Sequence, residues 1–174
     1  INIVVCQKFI TNYFRSCLGA LDAKTRNLLY RERAFEEILM RIGFVTHYMP
    51  MTASGEKGID VWLALEAFEQ AIHKGFDVVV LIGGDGDFVP LACKLNTQGI
   101  RVMVLGWGFE FVGQNGNKKR TRTSQALLDE VTYPILMNTL IDDRARRNDP
   151  AIENLFLPEK TNGSVKSKET IAQT

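Results

Sequence analysis

Apolar and polar positions along this chain follow two periods, and each switch between them marks a new element. INIVV at residues 1–5 is rich in β-branched side chains and predicts a first strand. Residues 24–42, KTRNLLYRERAFEEILMRI, place Leu28, Phe35, Ile38, Leu39 and Ile42 at helical spacing, which predicts a helix with those side chains on one face. Gly43 ends it, and FVTHYMP reads as a second strand closed by Pro50. After the polar loop MTASGEKG comes a helix over residues 60–73, stopped by Gly75, with Val61, Leu65, Phe68 and Ile72 as its core stripe. DVVVLIG is a continuous apolar run of the kind buried on both faces of a parallel sheet. Residues 88–98 predict a short helix with Pro90 in its first turn, and IRVMVLGW a further buried strand. GFEFVGQNGNKKRTRT reads as a loop, followed by a brief helix at 124–129 and an edge strand at 131–137.

Strands that alternate with helices, without tandem hairpins, predict a parallel α/β sheet with right-handed crossovers. Residues 1–146 carry this pattern and form one expected domain. From 147 to 174 the chain is polar and aperiodic, which reads as a tail or linker.

Composition narrows the class. With 45% apolar and 24% charged residues the chain is globular rather than disordered. A formal charge of +1 gives no overall attraction to polyanions, so any nucleic-acid site must come from local clustering. Cys6, Cys17 and Cys93 are scattered and odd in number, which argues against a disulfide framework and for a reducing compartment. No apolar run is long enough to span a membrane, and the N-terminus lacks a signal-peptide core, so the expectation is a cytoplasmic protein without membrane contact.

The candidate chemistry lies in VVVLIGGDGDFVPLACKL, where Asp85 and Asp87 follow a strand end. Ligands of open parallel sheets bind outside the carboxyl ends of the strands. Asp60 stands where a polar loop meets the first apolar turn of a helix. Each acid also has an ordinary reading: Asp60 as a helix N-cap, Asp85 and Asp87 as turn residues. Three carboxylates around one cleft repel unless a cation joins them. A hard divalent ion, Mg²⁺ or Mn²⁺, fits oxygen ligands and a phosphodiester substrate. His47 and His73 are far apart and lack paired cysteines, so zinc is not indicated; His73 reads as a helix-dipole partner.

EKGIDVWLALEAFEQA followed by FDVVVLIGGDGDFVPLACKLNTQGIRVMVLG resembles the NYN domain, in its LabA-like (DUF88) branch, over roughly residues 43–137. The resemblance implies a PIN-like three-layer α/β/α sandwich with a mainly parallel central sheet. It also implies a metal-dependent ribonuclease, with RNA as partner and Asp60, Asp85 and Asp87 as metal-binding catalytic residues. Lys57 matches the lysine before the family's helix, Glu66 falls where a further acid often stands, and Gly83 replaces a frequent serine or threonine. The family's first strand is typically followed by an aspartate and, three residues on, an asparagine. INIVVCQKFITNYF has no acid: if Asn12 is that asparagine, Phe9 holds the aspartate position, and otherwise Gln7 is nearest. A module that binds RNA, a protein partner or a second copy without cutting therefore stays open.

Two further signals bear on ligands. Gly83 and Gly84 would offer backbone amides to a phosphate, and GGDG also resembles the phosphate-binding turn of NAD and diacylglycerol kinases, although Asp87 stands where those have threonine. Lys118, Lys119, Arg120 and Arg122, with Arg144, Arg146 and Arg147, form basic runs that read as RNA-backbone contacts or as solvated surface. Trp107 and Phe109 read as base-stacking or packing residues.

Overall fold

The computed structural model describes residues 10–17, 29–51, 55, 57–113, 116–143 and 148–154. The expected strand at 1–5, with Cys6, Gln7 and Phe9, lies outside the described residues, as do Leu28, Arg144, Arg146, Arg147 and residues 155–174. The chain divides into two units, Ile1–Leu136 and Met137–Thr174.

In the first unit the order is β1 (Asn12–Cys17), α1 (Leu29–Arg41), β2 (Val45–Pro50), α2 (Ile59–Lys74), β3 (Val78–Ile82), a 3-10 turn (Gly86–Phe88), α3 (Val89–Thr97), β4 (Arg101–Gly106), β5 (Phe109–Val112), β6 (Lys118–Thr121), α4 (Gln125–Glu130) and β7 (Tyr133–Leu136). β1 pairs with β2 in parallel, and β3, β4 and β7 form a parallel sheet in that order. The architecture is mixed α/β, with mostly parallel strands alternating with helices, as expected. The second unit contains α5 (Met137–Asp142) and α6 (Pro150–Glu153). Asp149 caps α6, its Oδ1 accepting from the Ala151 N–H at 2.9 Å, and Pro150 occupies the first turn, where its missing N–H costs nothing.

The core lies between β3–β4 and the helices α2, α3 and α4. Leu81, Phe88, Leu91, Leu95, Val102, Val104 and Leu127 are buried in it, with Phe68 packed against them. Helix α3 is bonded to α4 through Asn96, whose Nδ2 donates to the Glu130 carbonyl at 2.9 Å and its carboxylate at 3.2 Å.

α2 runs back along β1 and β2. Near its start Gly58 approaches the Met49 side chain close to the end of β2. Near its end Gln70 accepts from Asn12 Nδ2 at 3.1 Å, at the beginning of β1. Gln70 also donates to Glu66 at 2.6 Å, and His47 Nε2 meets Asn12 Oδ1 at 3.0 Å while its ring stacks on Phe14. This polar network ties helix to strands and leaves the start of α2 at the strands' carboxyl ends.

Several expectations need correction. On α1 only Leu39 of the described apolar stripe is buried; Phe35, Ile38 and Ile42 are exposed. On α2 Val61, Leu65 and Ile72 are exposed and Phe68 carries the packing. β3 is not covered on both faces: Leu81 is buried, but Val80 and Ile82 face outward. Periodicity identified the elements, but which face packs depends on the neighbours each one meets. The segment read as a loop after β4 is a β-hairpin, with β5 and β6 antiparallel and Glu110 opposite Arg120. A strand at Asn12–Cys17 was not anticipated.

Candidate functional site

The carboxyl end of β3 is built around glycine. The Gly83 N–H extends the sheet by donating to the Leu105 carbonyl at 3.1 Å. The chain then turns at Asp85, whose extended backbone and side chain cap the 3-10 turn: Oδ1 accepts from the Asp87 N–H at 3.0 Å. Asp85 and Asp87 are both exposed, and Phe88 anchors the turn in the core.

Across from this turn lies the segment between β6 and α4. The Ser124 N–H donates to the Gly84 carbonyl at 2.8 Å, and Thr123 Oγ1 donates to the Trp107 carbonyl at 3.2 Å. Packing is tight enough to require glycine at two places. A Cβ at Gly84 would lie 2.8 Å from Thr123 Cα, and one at Gly106 would collide with the Thr123 side chain. Residues 83–86, Trp107 and residues 121–124 together line a cleft of about 500 Å³. The glycine–aspartate turn and the Thr123–Ser124 segment both line it, and Arg122 contributes a cation to the lining that also holds Asp85.

The predicted site residues fall into three places. Asp85, Gly83 and Gly84 line the cleft; Asp87 sits two residues along in the 3-10 turn. Asp60 occupies the first turn of α2, beside the carboxyl end of β2, and α2 packs against the 3-10 turn. The N-cap of α2 is Gly58, in the left-handed conformation at φ 84°, so Asp60 does not take the capping position that was its ordinary alternative reading. Lys57 precedes that glycine and is exposed. Lys118, Lys119 and Arg120 lie on β6. Glu66 is engaged by Gln70 in the network with Asn12, away from the cleft. The Gly83 N–H cannot serve a phosphate without giving up its bond to Leu105, which removes one of the two amides assigned to that task.

Among the described residues, no group of three or more His, Cys, Asp and Glu side chains is arranged to hold a metal ion. The donor chemistry still suits Mg²⁺ or Mn²⁺, because such ions take one or two carboxylates and complete their shell with water and substrate oxygens. Asp85 Oδ1 is occupied by a cap, but a carboxylate has about four acceptor positions, so capping does not exclude a cation.

Sequence reasoning missed Thr121, Thr123 and Ser124. Their signal was present as TRTS, a hydroxyl-rich stretch entering a helix, but nothing local to it points to a turn 40 residues earlier in the chain.

Mostly parallel strands alternating with helices, with an acidic turn at a strand's carboxyl end, place the protein among PIN-like domains. The NYN domain family model matches residues 4–137, and the chain belongs to that family, a PIN-like nuclease family whose members typically use divalent metals and act on RNA. No curated protein and no solved structure gives a significant match. No helix among the described residues is long and apolar enough to cross a membrane.

Proposed function

We infer that residues 1–146 form a LabA-like NYN domain that hydrolyses RNA phosphodiesters at the β3 turn, with residues 147–174 as a tail. The observation that carries this reading is the cleft itself. Asp85 lines it just beyond the carboxyl end of a parallel strand, together with Arg122, Thr123 and Ser124. The proposed ligands of Mg²⁺ or Mn²⁺ are Asp85 and Asp87, with water and substrate oxygens completing the shell and Asp60 at the start of α2 as a third acid outside it. When bound, the ion supplies an acidified water and neutralises charge on the phosphodiester.

The chain's own residues bind and orient. Arg122 attracts the phosphate, Lys57 adds charge near the start of α2, and the Ser124 hydroxyl offers a donor in the cleft lining, the Thr123 proton being given to the Trp107 carbonyl. Gly84 and Gly86 keep the turn free of side chains, so a backbone phosphate approaches the carboxylates closely. Cleavage of end-labelled RNA with Mn²⁺ and with EDTA, by parent protein and Asp85→Asn, tests the proposal. Activity lost in both EDTA and the variant supports it, and activity that persists in either places the chemistry elsewhere.

A second reading has its own support. The segment INIVVCQKFITNYF, where the family's first strand is followed by an aspartate, holds no acid. A domain that binds RNA without cutting it would show metal-independent binding and no cleavage. The GGDG-kinase reading is not carried further: Asp85 and Asp87 would repel a nucleotide phosphate unless a metal intervened.

A further inference from the structure

The hairpin after β4 has no core behind it. All eight residues of β5 and β6 are exposed, and a two-stranded ladder of this length is marginal by itself in water. Yet it carries Phe109 at 51% exposure and Phe111 at 44%. Their ring centroids are 5.8 Å apart at an interplanar angle of 42°, so they are not stacked face to face on each other. Exposed, contiguous aromatic surface of this kind marks a binding face.

Register decides what shares that face. Phe109 pairs with Thr121 and Phe111 with Lys119, so these four side chains project to one side. Glu110, Val112, Lys118 and Arg120 project to the other, where Arg120 meets Glu110 at 3.5 Å. Arg120 is therefore turned away from the aromatic pair and is partly neutralised. Lys119 is the cation beside the rings. The face is also continuous with the cleft, because Thr121 belongs to both, and Trp107 and Arg122 stand at the feet of the hairpin.

We propose that the Phe109–Phe111–Lys119 face of the β5–β6 hairpin binds single-stranded RNA and leads it into the Asp85 cleft. This deepens the nuclease reading and rests on it for the identity of the nucleic acid. The occupant follows from the chemistry of the face. Aromatic rings accept unpaired bases irrespective of sequence, whereas a duplex keeps its base faces inside the stack. Residues 109–122 hold four cations against the single carboxylate of Glu110, which matches a polyanion rather than an apolar protein surface. Alternate residues on a strand stand about 6.6 Å apart, which leaves each ring room for its own base.

The test is fluorescence anisotropy of a labelled oligouridine strand with the full chain in EDTA, which separates binding from cleavage. Phe109→Ala with Phe111→Ala should weaken single-strand binding by about tenfold or more, since each stacked base is lost. Lys119→Glu should weaken it and lower the slope of log K against log salt by about 0.7 or more. Val112→Ala on the opposite face is the control and should bind as the parent does. Equal affinity of the parent for an RNA duplex of the same length overturns the proposal, as does unchanged binding by the double phenylalanine variant. A shift of that variant from dimer to monomer on size exclusion also overturns it, and names a second copy as occupant. Cleavage with Mn²⁺ keeps the two readings apart. Hairpin variants that bind and cut normally sink only the hairpin, whereas hairpin-dependent binding without any cleavage sinks only the nuclease.

Discussion

Ser124 is tied to Gly84 by a 2.8 Å hydrogen bond from its amide to the glycine carbonyl, and through it the start of α4 is fastened to the acidic turn after β3. The glycine has no room for a side chain: a Cβ there would fall 2.8 Å from Thr123 Cα, a backbone atom that cannot swing aside. Gly83, one residue earlier, has open space at the same position. Gly84→Ala is therefore expected to destabilise the fold by about 1–3 kcal/mol, as overpacking does. Gly83→Ala should stay within about 0.5 kcal/mol. Urea melts of the two variants against the parent check this, and equal costs would mean the segment yields freely.

Asp85→Asn should abolish metal-dependent cleavage while leaving stability within about 0.5 kcal/mol. Asparagine keeps the carbonyl oxygen that accepts the Asp87 N–H, and it caps turns about as well as aspartate. Only the charge is lost. Thermal melts run beside the cleavage assay separate the two effects; an unfolded variant would show that the carboxylate is structural.

Tyr48 on β2 carries a hydroxyl that is buried without a hydrogen-bond partner among the described residues. Such a group costs roughly 1–3 kcal/mol, so Tyr48→Phe is expected to raise stability by about 1 kcal/mol. Burial, followed by the negative charge of Glu36, pushes the Tyr48 phenol above its usual value of 10.0. A raised folded-state value means that this group's contribution is complete below pH 10 and is lost as pH climbs past it. Melts from pH 8 to 11 should show the parent losing stability in the alkaline range more steeply than the variant. Parallel curves would place the phenol in water.

The Glu130 carboxylate on α4, as acceptor for the Cys93 thiol on α3, and with some burial and its negative charge, pushes that thiol above its ordinary value of 9.0. Since the thiolate is the reactive form, Cys93 is expected to alkylate slowly at pH 8. Glu130→Gln removes the charge and weakens the hold on the proton, so alkylation should quicken. Mass-spectrometric rates with iodoacetamide read this directly. A slower rate in the variant would contradict the assigned cause.

The α/β class, the order of most elements and the acidic turn were legible in the residues. Apolar runs such as VVVLI and the glycines that stop each helix act over a few positions, so their signal is local. The motif pair around Asp60 and Asp85 was specific enough to indicate the NYN family, which the family match over residues 4–137 bears out. The hairpin was legible in principle from FEFV and KKRT across a glycine- and asparagine-rich turn.

What the sequence determined by itself is therefore local: where strands and helices fall, and that two aspartates follow an apolar strand. Only the tertiary structure decided that Thr123 and Ser124 pack on the glycines flanking Asp85, that Val61, Leu65 and Ile72 are exposed, and that Lys119 rather than Arg120 shares a face with Phe109 and Phe111. The physical reason is the same in each case. A side chain's surroundings are set by strand register and by the helix packed across from it, and both depend on contacts between residues far apart in the chain, to which hydrophobic periodicity carries no signal.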